Sequence, residues 1–352
     1  MNALSLFSGI GVDEFYLNDA GINVVLANEV SPSRAEAYKK LHPKADIICG
    51  DIRDESIKQQ IISRALENNV KLIIATPPCQ GFSTAGKNKH EENFLTDERN
   101  FLIVDAIEII KRINPDFVLF ENVPKFDLMS FLVDGEKQTT EGLIKHYFGE
   151  SYDIKKNIFH SENFKVPQRR QRLVYRIFKK GKTWNDPVLS SALITLREAI
   201  GNLPSLEPGD KSNIKNHFAR IHPKNQILCM RHTPTGHSAF ENKEFCPRKA
   251  DGTKIKGFPN TYKRMKWDEP APTITMRNEC ISSQENVHPG RYLGDGLWSD
   301  ARILTLRELL IVSSLPADLD VPSNLSETSF RQLIGEGIPP LMLKQIIGGI
   351  SV

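Results

Sequence analysis

The sequence predicts a doubly wound, mostly parallel α/β sheet followed by a smaller, irregular β-rich domain. Three observations lead there. Over the first 180 residues, short apolar runs of strand length alternate with longer amphipathic stretches, as in a sheet built from strand–helix units. Turns bearing glycine, acid or cysteine follow those runs, where an open α/β sheet keeps its reacting groups. After Lys179-Lys180-Gly181, Pro, Gly, Asn and Lys become frequent and the periodicity fades. The division read from this is 1–180, 181–325 and 326–352, the last a helix returning to the first domain.

In order, strands are expected at 4–7, 24–27, 47–49, 72–75 and 117–120. A later pair, 152–159 and 173–178, is close enough in sequence to lie antiparallel at the sheet edge. Helices are expected at 12–20, 32–41, 56–68 and 100–113, with Ser31 placed to cap the second. Helical patterning returns at 305–313 and after Ser329. The run Leu341, Met342, Leu343, Ile346 and Ile347 is too apolar to remain in water.

Composition sets outer limits. The chain has 352 residues, 39% hydrophobic and 25% charged, and a mean hydropathy of −0.34. No apolar run approaches the ~20 residues that span a bilayer. No signal peptide is visible at the N-terminus, so a cytoplasmic, nucleoid-associated protein is expected. Five scattered cysteines show no disulfide spacing. Cys229, His232, His237 and Cys246 form the one metal-like grouping, and their spacing fits no standard zinc pattern, so no metal is expected. Net charge is +3, yet Lys211 to Lys266 holds thirteen Lys/Arg against three Asp/Glu. That excess suits a polyanionic partner; the lesser alternative is a merely solvated surface.

The chemistry-bearing residues stand at strand ends. Phe7-Ser8-Gly9-Ile10-Gly11 follows the first strand, Glu29-Val30 the second, and Gly50-Asp51-Ile52 the third. An acid after the second strand can accept from both ribose hydroxyls, and Asp51 from an adenine amine. Taken singly, each acid also reads as a helix cap. Phe15 stands near where a dinucleotide fingerprint has its third glycine, and Phe7 could stack on a purine, which points to S-adenosyl-L-methionine. Pro77-Pro78-Cys79-Gln80-Gly81-Phe82-Ser83 follows the fourth strand and Glu121-Asn122-Val123 the fifth. A cysteine and a glutamate facing one pocket suggest a thiolate nucleophile and a carboxyl working on the substrate. In Gln168-Arg169-Arg170-Gln171-Arg172, strand alternation puts Arg170 and Arg172 on one face, able to hold an oxygen acceptor; in isolation this is a basic turn.

In order and spacing these motifs resemble the DNA (cytosine-5)-methyltransferases. Ala301-Arg302-Ile303-Leu304-Thr305-Leu306-Arg307-Glu308 and Gly335-Glu336-Gly337-Ile338-Pro339-Pro340 are similar to that family's ninth and tenth motifs, leaving 180–265 without a family pattern. The resemblance implies a Rossmann-like, S-adenosylmethionine-dependent enzyme with a DNA-recognition domain, acting on double-stranded DNA at a short specific site. A separately acting restriction endonuclease would be its partner, and S-adenosyl-L-homocysteine its product. Carried over residue by residue, Cys79 would add to cytosine C6, Glu121 would bind N3 and the amino group, and Arg172, supported by Arg170, the O2 edge. The target base must first be flipped out. Phe7, Gly9, Gly11, Glu29, Val30, Asp51, Ile52, Pro78, Gly335, Glu336 and Gly337 would contact the cofactor. Gln80, Ser83, Arg231 and Thr273 would contact DNA, with His232 and Asn260 further base readers in a recognition region at 184–280. Val12 and Phe15 replace small residues of the family pattern, and Glu336 replaces an Asn. Two rivals remain: a tRNA-acting cytosine-5 methyltransferase and a catalytically silent DNA-binding regulator.

Overall fold

A computed structural model describes residues 1–78, 101–133, 135–249 and 251–351. By its contacts the chain forms two compact units: 1–160 with 171–188 and 343–352, and 161–170 with 189–342.

The first unit is built on a seven-stranded sheet. Its strands are β1 (Asn2–Leu6), β2 (Asn23–Glu29), β3 (Asp46–Cys49), β4 (Leu72–Ala75), β5 (Phe117–Asn122), β8 (Tyr152–His160) and β9 (Gln171–Lys179), in the order β3-β2-β1-β4-β5-β9-β8. A small hairpin, β6 (Ser130–Val133) and β7 (Glu136–Thr139), lies between β5 and β8 in sequence. β1 to β5 are parallel, and β9 and β8 run antiparallel at the edge. The order reverses at β1 and β4, the topological switch where such sheets open a binding crevice.

The helices follow from capping and apolar faces. Asp54 accepts the Ser56 N–H ahead of α2 (Glu55–Glu67). α3 (Leu102–Ile113) buries Ile103, Ala106, Ile107, Ile109, Ile110 and Ile113 in the core around Leu4, Ile73 and Val118. Ser31 is the N-cap residue of α1 (Pro32–Leu41), but its hydroxyl does not cap; the Glu29 carboxylate takes the Ser31 N–H instead. The helix expected over 12–20 is absent. Gly11 is left-handed, and two 3₁₀ turns, Val12–Glu14 and Asn18–Ala20, replace it. Asp13 and Glu14 are buried, and only Asn18 and Asp19 are left exposed, so the polar residues of this stretch do not gather on one helical face. α4 (Thr140–Phe148) completes the larger part of the unit.

The last ten residues, Leu343–Val352, belong to this first unit. Trp184 in β10 (Thr183–Trp184) donates from its indole nitrogen to the Ile346 carbonyl at 2.8 Å.

Extended structure in the second unit is sparse: one short ladder, β11 (Tyr292–Gly294) with β12 (Leu297–Trp298), and isolated bridges. "β-rich" is too strong for it, because frequent Pro and Gly interrupt continuous ladders. Its helices are α5 (Leu196–Ile200), α6 (Lys224–Arg231), α7 (Leu306–Val312) and α8 (Glu327–Glu336). Buried arginines tie the loops together. Arg264 donates to the carbonyls of His288, Asp300, Met230 and Ser299 at 2.8 to 3.1 Å. Arg302 bridges Glu308 at 2.7 Å and Asp300 at 2.8 Å. Burial opposes charge on Glu308, yet Arg302 and His288 hold its carboxyl down at about 2. Burial pushes His288 down to about 4, so it is neutral at physiological pH.

α9 (Pro340–Ile347) runs out of this unit into the first, and β13 (Ile350–Ser351) pairs with β10. Met342, Leu343, Ile346 and Ile347 are all buried. Among the described residues no helix is long and apolar enough to cross a membrane. Ile346→Ala should cost about 2–5 kcal/mol in urea denaturation, the usual range for such a core truncation. Ending the chain at Pro339 should remove soluble expression and S-adenosylhomocysteine binding together. A soluble, ligand-binding truncate would show that these contacts are dispensable.

Candidate active site

Parallel strands end at one edge, so the loops after β1, β2 and β3 are neighbours there. Gly9 and Gly11 have φ of 56° and 70°, and Phe7 reaches 61°. At Gly11 a Cβ would come within 2.4 Å of the His42 ring, so only glycine fits. Glu29 fastens the two loops: one carboxylate oxygen accepts the Gly9 N–H at 3.0 Å, the other the Ser31 N–H at 2.8 Å. Val30 beside it is 60% exposed, an apolar surface at the same edge. Asp51 is half-buried and bound by Arg53 at 2.6 Å; that hydrogen bond holds its carboxyl below the usual range. Ile52 is buried in the core.

This edge fits an adenosine-bearing cofactor. It offers a preset acid for a ribose, backbone that a ligand can approach closely, and Asp51 for an amine. Val12 is buried, and Phe15 packs edge-on against His42 at 5.2 Å.

Glu121 lies opposite Val174 in the β5–β9 ladder. Arg172, two residues along β9 from Val174, shares its face. The diagonal pair meets, with Arg172 Nε 2.5 Å from Glu121 Oε1 and both side chains 9% exposed. Asp13 is buried within reach of Glu121's charge. Desolvation first, and then the negative charge of Glu14, hold the Asp13 carboxyl well above its ordinary range. Sequence reasoning missed Asn122 as a positioning group. Its amide donates to the Pro77 carbonyl at 2.9 Å, tying the Pro77-Pro78 segment to the strand that carries Glu121. Asn28 was missed likewise; it donates to the Ile48 and Gly50 carbonyls, joining the ends of β2 and β3. An asparagine next to each strand-end glutamate was the available signal. Cys79, Gln80 and Ser83 lie outside the described residues, while Pro78 is described and half-buried.

Arg170 is a correction. It precedes β9 and belongs to the second unit, so strand alternation with Arg172 does not apply. Its guanidinium donates to the carbonyls of Ile274 at 2.7 Å, Gly335 at 2.8 Å and Glu336 at 2.9 Å. It holds main chain rather than presenting an open fork. Gln168 does similar work, accepting from the Ile274 N–H. Gly335, next to last in α8, sits where the Thr275 carbonyl would lie 2.3 Å from a Cβ, so its lack of a side chain answers a close backbone approach. Glu336 and Gly337 are half-buried beside it.

Of the expected DNA contacts, exposed Thr273 donates its hydroxyl to the Arg169 carbonyl at 2.7 Å. Arg231, at the end of α6, is 3.7 Å from Glu207. His232 stacks on Phe245 with centroids 3.6 Å apart, and His237 pairs with Glu241. Among the described residues no group of three or more His, Cys, Asp or Glu is arranged to hold a metal.

The chain is similar to known methyltransferases. The type II methyltransferase M1.HgaI of Avibacterium volantium is 46% identical over 343 residues, covering 97% of this chain and 96% of its own length. The type II methyltransferase M1.HphI of Haemophilus parahaemolyticus is 26% identical, covering 97% and 84%. Among solved structures, DNMT2 of Spodoptera frugiperda superposes with a TM-score of 0.65 at 17% identity over 98% of this chain and 99% of that one, a likeness of fold. The C-5 cytosine-specific DNA methylase family matches residues 1–351, and the chain therefore belongs to that family, as an S-adenosylmethionine-dependent DNA cytosine-5 methyltransferase.

Proposed function

We propose that this chain is the modification methyltransferase of a type II restriction–modification system, flipping one cytosine out of a short specific duplex site, with a restriction endonuclease acting separately on the same site. The observation that carries the reading is the Glu121–Arg172 pair, buried at the strand edge where Asn122 fixes the Pro77-Pro78 segment leading to Cys79.

Cytosine C5 is too weak a nucleophile to be methylated directly. The Cys79 thiolate adds to C6, and Glu121 binds N3 and the amino group, protonating or hydrogen-bonding N3 as the ring gains electrons. Arg172 holds the carboxylate and meets the O2 edge. S-adenosylmethionine, when bound, supplies the electrophilic methyl group. Loss of the C5 proton to a base then expels the Cys79 thiolate from C6 and restores the ring. Glu29 binds the ribose hydroxyls, Phe7, Val30 and Asp51 surround the adenine, and Gly9, Gly11, Ile52 and Pro78 complete the cofactor's surroundings. We assign Gly335, Glu336 and Gly337 to the cofactor's methionine end, where Glu336 adds a negative charge, and Arg170 to positioning that turn. Gln80, Ser83, Arg231 and Thr273 are assigned to DNA. The reaction needs no metal, and the first unit serves catalysis while the second serves target recognition.

Bisulfite sequencing of host DNA expressing the chain tests the reading, with tRNA methylation assayed in parallel; methylated tRNA and unmethylated DNA would overturn it. Cys79→Ser should abolish turnover and leave DNA binding, because a hydroxyl is a far weaker nucleophile at neutral pH. A 5-fluorocytosine duplex should trap the native protein covalently and not the serine variant.

Glu29→Ala should weaken S-adenosylhomocysteine binding about ten- to a hundredfold, the ~1.5–3 kcal/mol of hydrogen bonds to a charged acceptor. Glu121→Gln should lower turnover sharply at nearly constant cofactor affinity. Calorimetry separates the two, and unchanged affinity in Glu29→Ala removes it from the cofactor site. Exchanging residues 184–280 for the matching region of a relative with another target should transfer target choice. A chimera that kept the parent's site would place recognition elsewhere.

A further inference from the structure

Residues 247–249 and 251–258 of the second unit form a charged projection that the site above does not use. Arg248 and Lys254 bridge antiparallel. The Lys249 N–H donates to the Thr253 carbonyl at 2.8 Å, and the Ile255 N–H to the Pro247 carbonyl at 3.0 Å. At the tip, Gly252 takes a φ of 81°, and the Asp251 carboxylate accepts both the N–H and the hydroxyl of Thr253. The projection is therefore a hydrogen-bonded hairpin, with a fixed direction for the side chains it carries.

Those side chains are strongly one-sided. Arg248, Lys249, Lys254 and Lys256 are exposed and face one carboxylate, which Thr253 already occupies. Lysines further along are neutralised: Lys263 by Glu285 at 2.6 Å and Lys266 by Glu269 at 2.8 Å. Lys249, Lys254 and Lys256 have no carboxylate within ion-pair distance among the described residues. Beside them Phe258 is 75% exposed. Its carbonyl accepts the N–H and hydroxyl of Thr261. Gly257 lets the Phe240 ring lie on the backbone where a Cβ would be 2.0 Å from it. The backbone is thus anchored on both sides of an aromatic ring left in water. Lysines with no ion pair among the described residues, on the same segment as an exposed apolar ring, match duplex DNA, which takes point charges at its phosphates and an apolar wedge at a base step.

We propose that the Arg248–Lys256 hairpin and Phe258 form a DNA-gripping element, with Lys249, Lys254 and Lys256 on phosphates and Phe258 against a base step. This rests on the reading of the chain as a DNA methyltransferase and assigns the contact that sets affinity rather than target. Full-length protein carrying Lys249→Ala, Lys254→Ala and Lys256→Ala is compared with the parent by anisotropy on a labelled DNA duplex of mixed sequence. The slope of log affinity against log salt should flatten by up to about 0.9 for each lysine removed. S-adenosylhomocysteine binding and the bisulfite-mapped target should not move. Phe258→Ala should weaken duplex binding about tenfold or more with the slope unchanged, and Phe258→Trp should restore it. An unchanged slope in the triple variant together with unchanged affinity in Phe258→Ala overturns the proposal. So does a changed target sequence, which would make the hairpin a base reader, or a loss confined to an RNA duplex. A parent protein that methylates no DNA defeats the underlying reading instead, and the two failures are read in separate assays.

Discussion

The first unit depends on how the ends of its parallel strands are held. A parallel sheet delivers the loops after β1 to β5 to one edge, where the ladder stops and backbone groups need other partners. Side chains supply them. Glu29 takes the N–H groups of Gly9 and Ser31, Asn28 gives to Ile48 and Gly50, and Asn122 gives to Pro77. Each clamp joins neighbouring loops, so the edge is set before any ligand arrives. A preset edge matters because ordering loops on binding would consume affinity. It also explains why a carboxylate rather than an amide suits position 29: both of its oxygens accept, one from the backbone of each loop.

Electrostatics at the neighbouring strand end follow from burial. A buried carboxylate is costly unless it is paired at close range, and Arg172 pairs with Glu121 at 2.5 Å. A second ionised acid in the same field would undo that arrangement. Burial and the neighbouring Glu14 charge hold the Asp13 carboxyl well above the usual carboxylate range, so its surroundings oppose a second charge there. Glu14 is steadied separately by the Tyr38 hydroxyl at 2.6 Å.

The strands and their terminal motifs were legible in the sequence because apolar runs and turn residues are local signals. The edge pair β8–β9 was legible for the same reason. The stretch 12–20 misled because its amphipathic pattern carries no sign that Gly11 turns left-handed and drives Asp13 and Glu14 inward. Arg170 misled because alternation holds only within a strand, and β9 starts one residue later. Ser31 marked the start of α1 correctly, but which group satisfied its N–H depended on Glu29, a tertiary contact.

The second unit was hardest to read, and its interior gives the physical reason. Its loops are held by charged groups that periodicity scales assign to the surface. Arg264, 1% exposed, satisfies four carbonyls from separate loops, which a hydrophobic side chain could not do. Burial pushes its guanidinium down to about 9, still charged at neutral pH. Arg302 anchors Asp300 and the start of α7 through Glu308, which also closes the capping box with Thr305. Such a network fixes loops by their backbone and leaves their outward side chains uncommitted. Those outward side chains can then vary residue by residue, while the arginines that hold the frame stay buried beneath them.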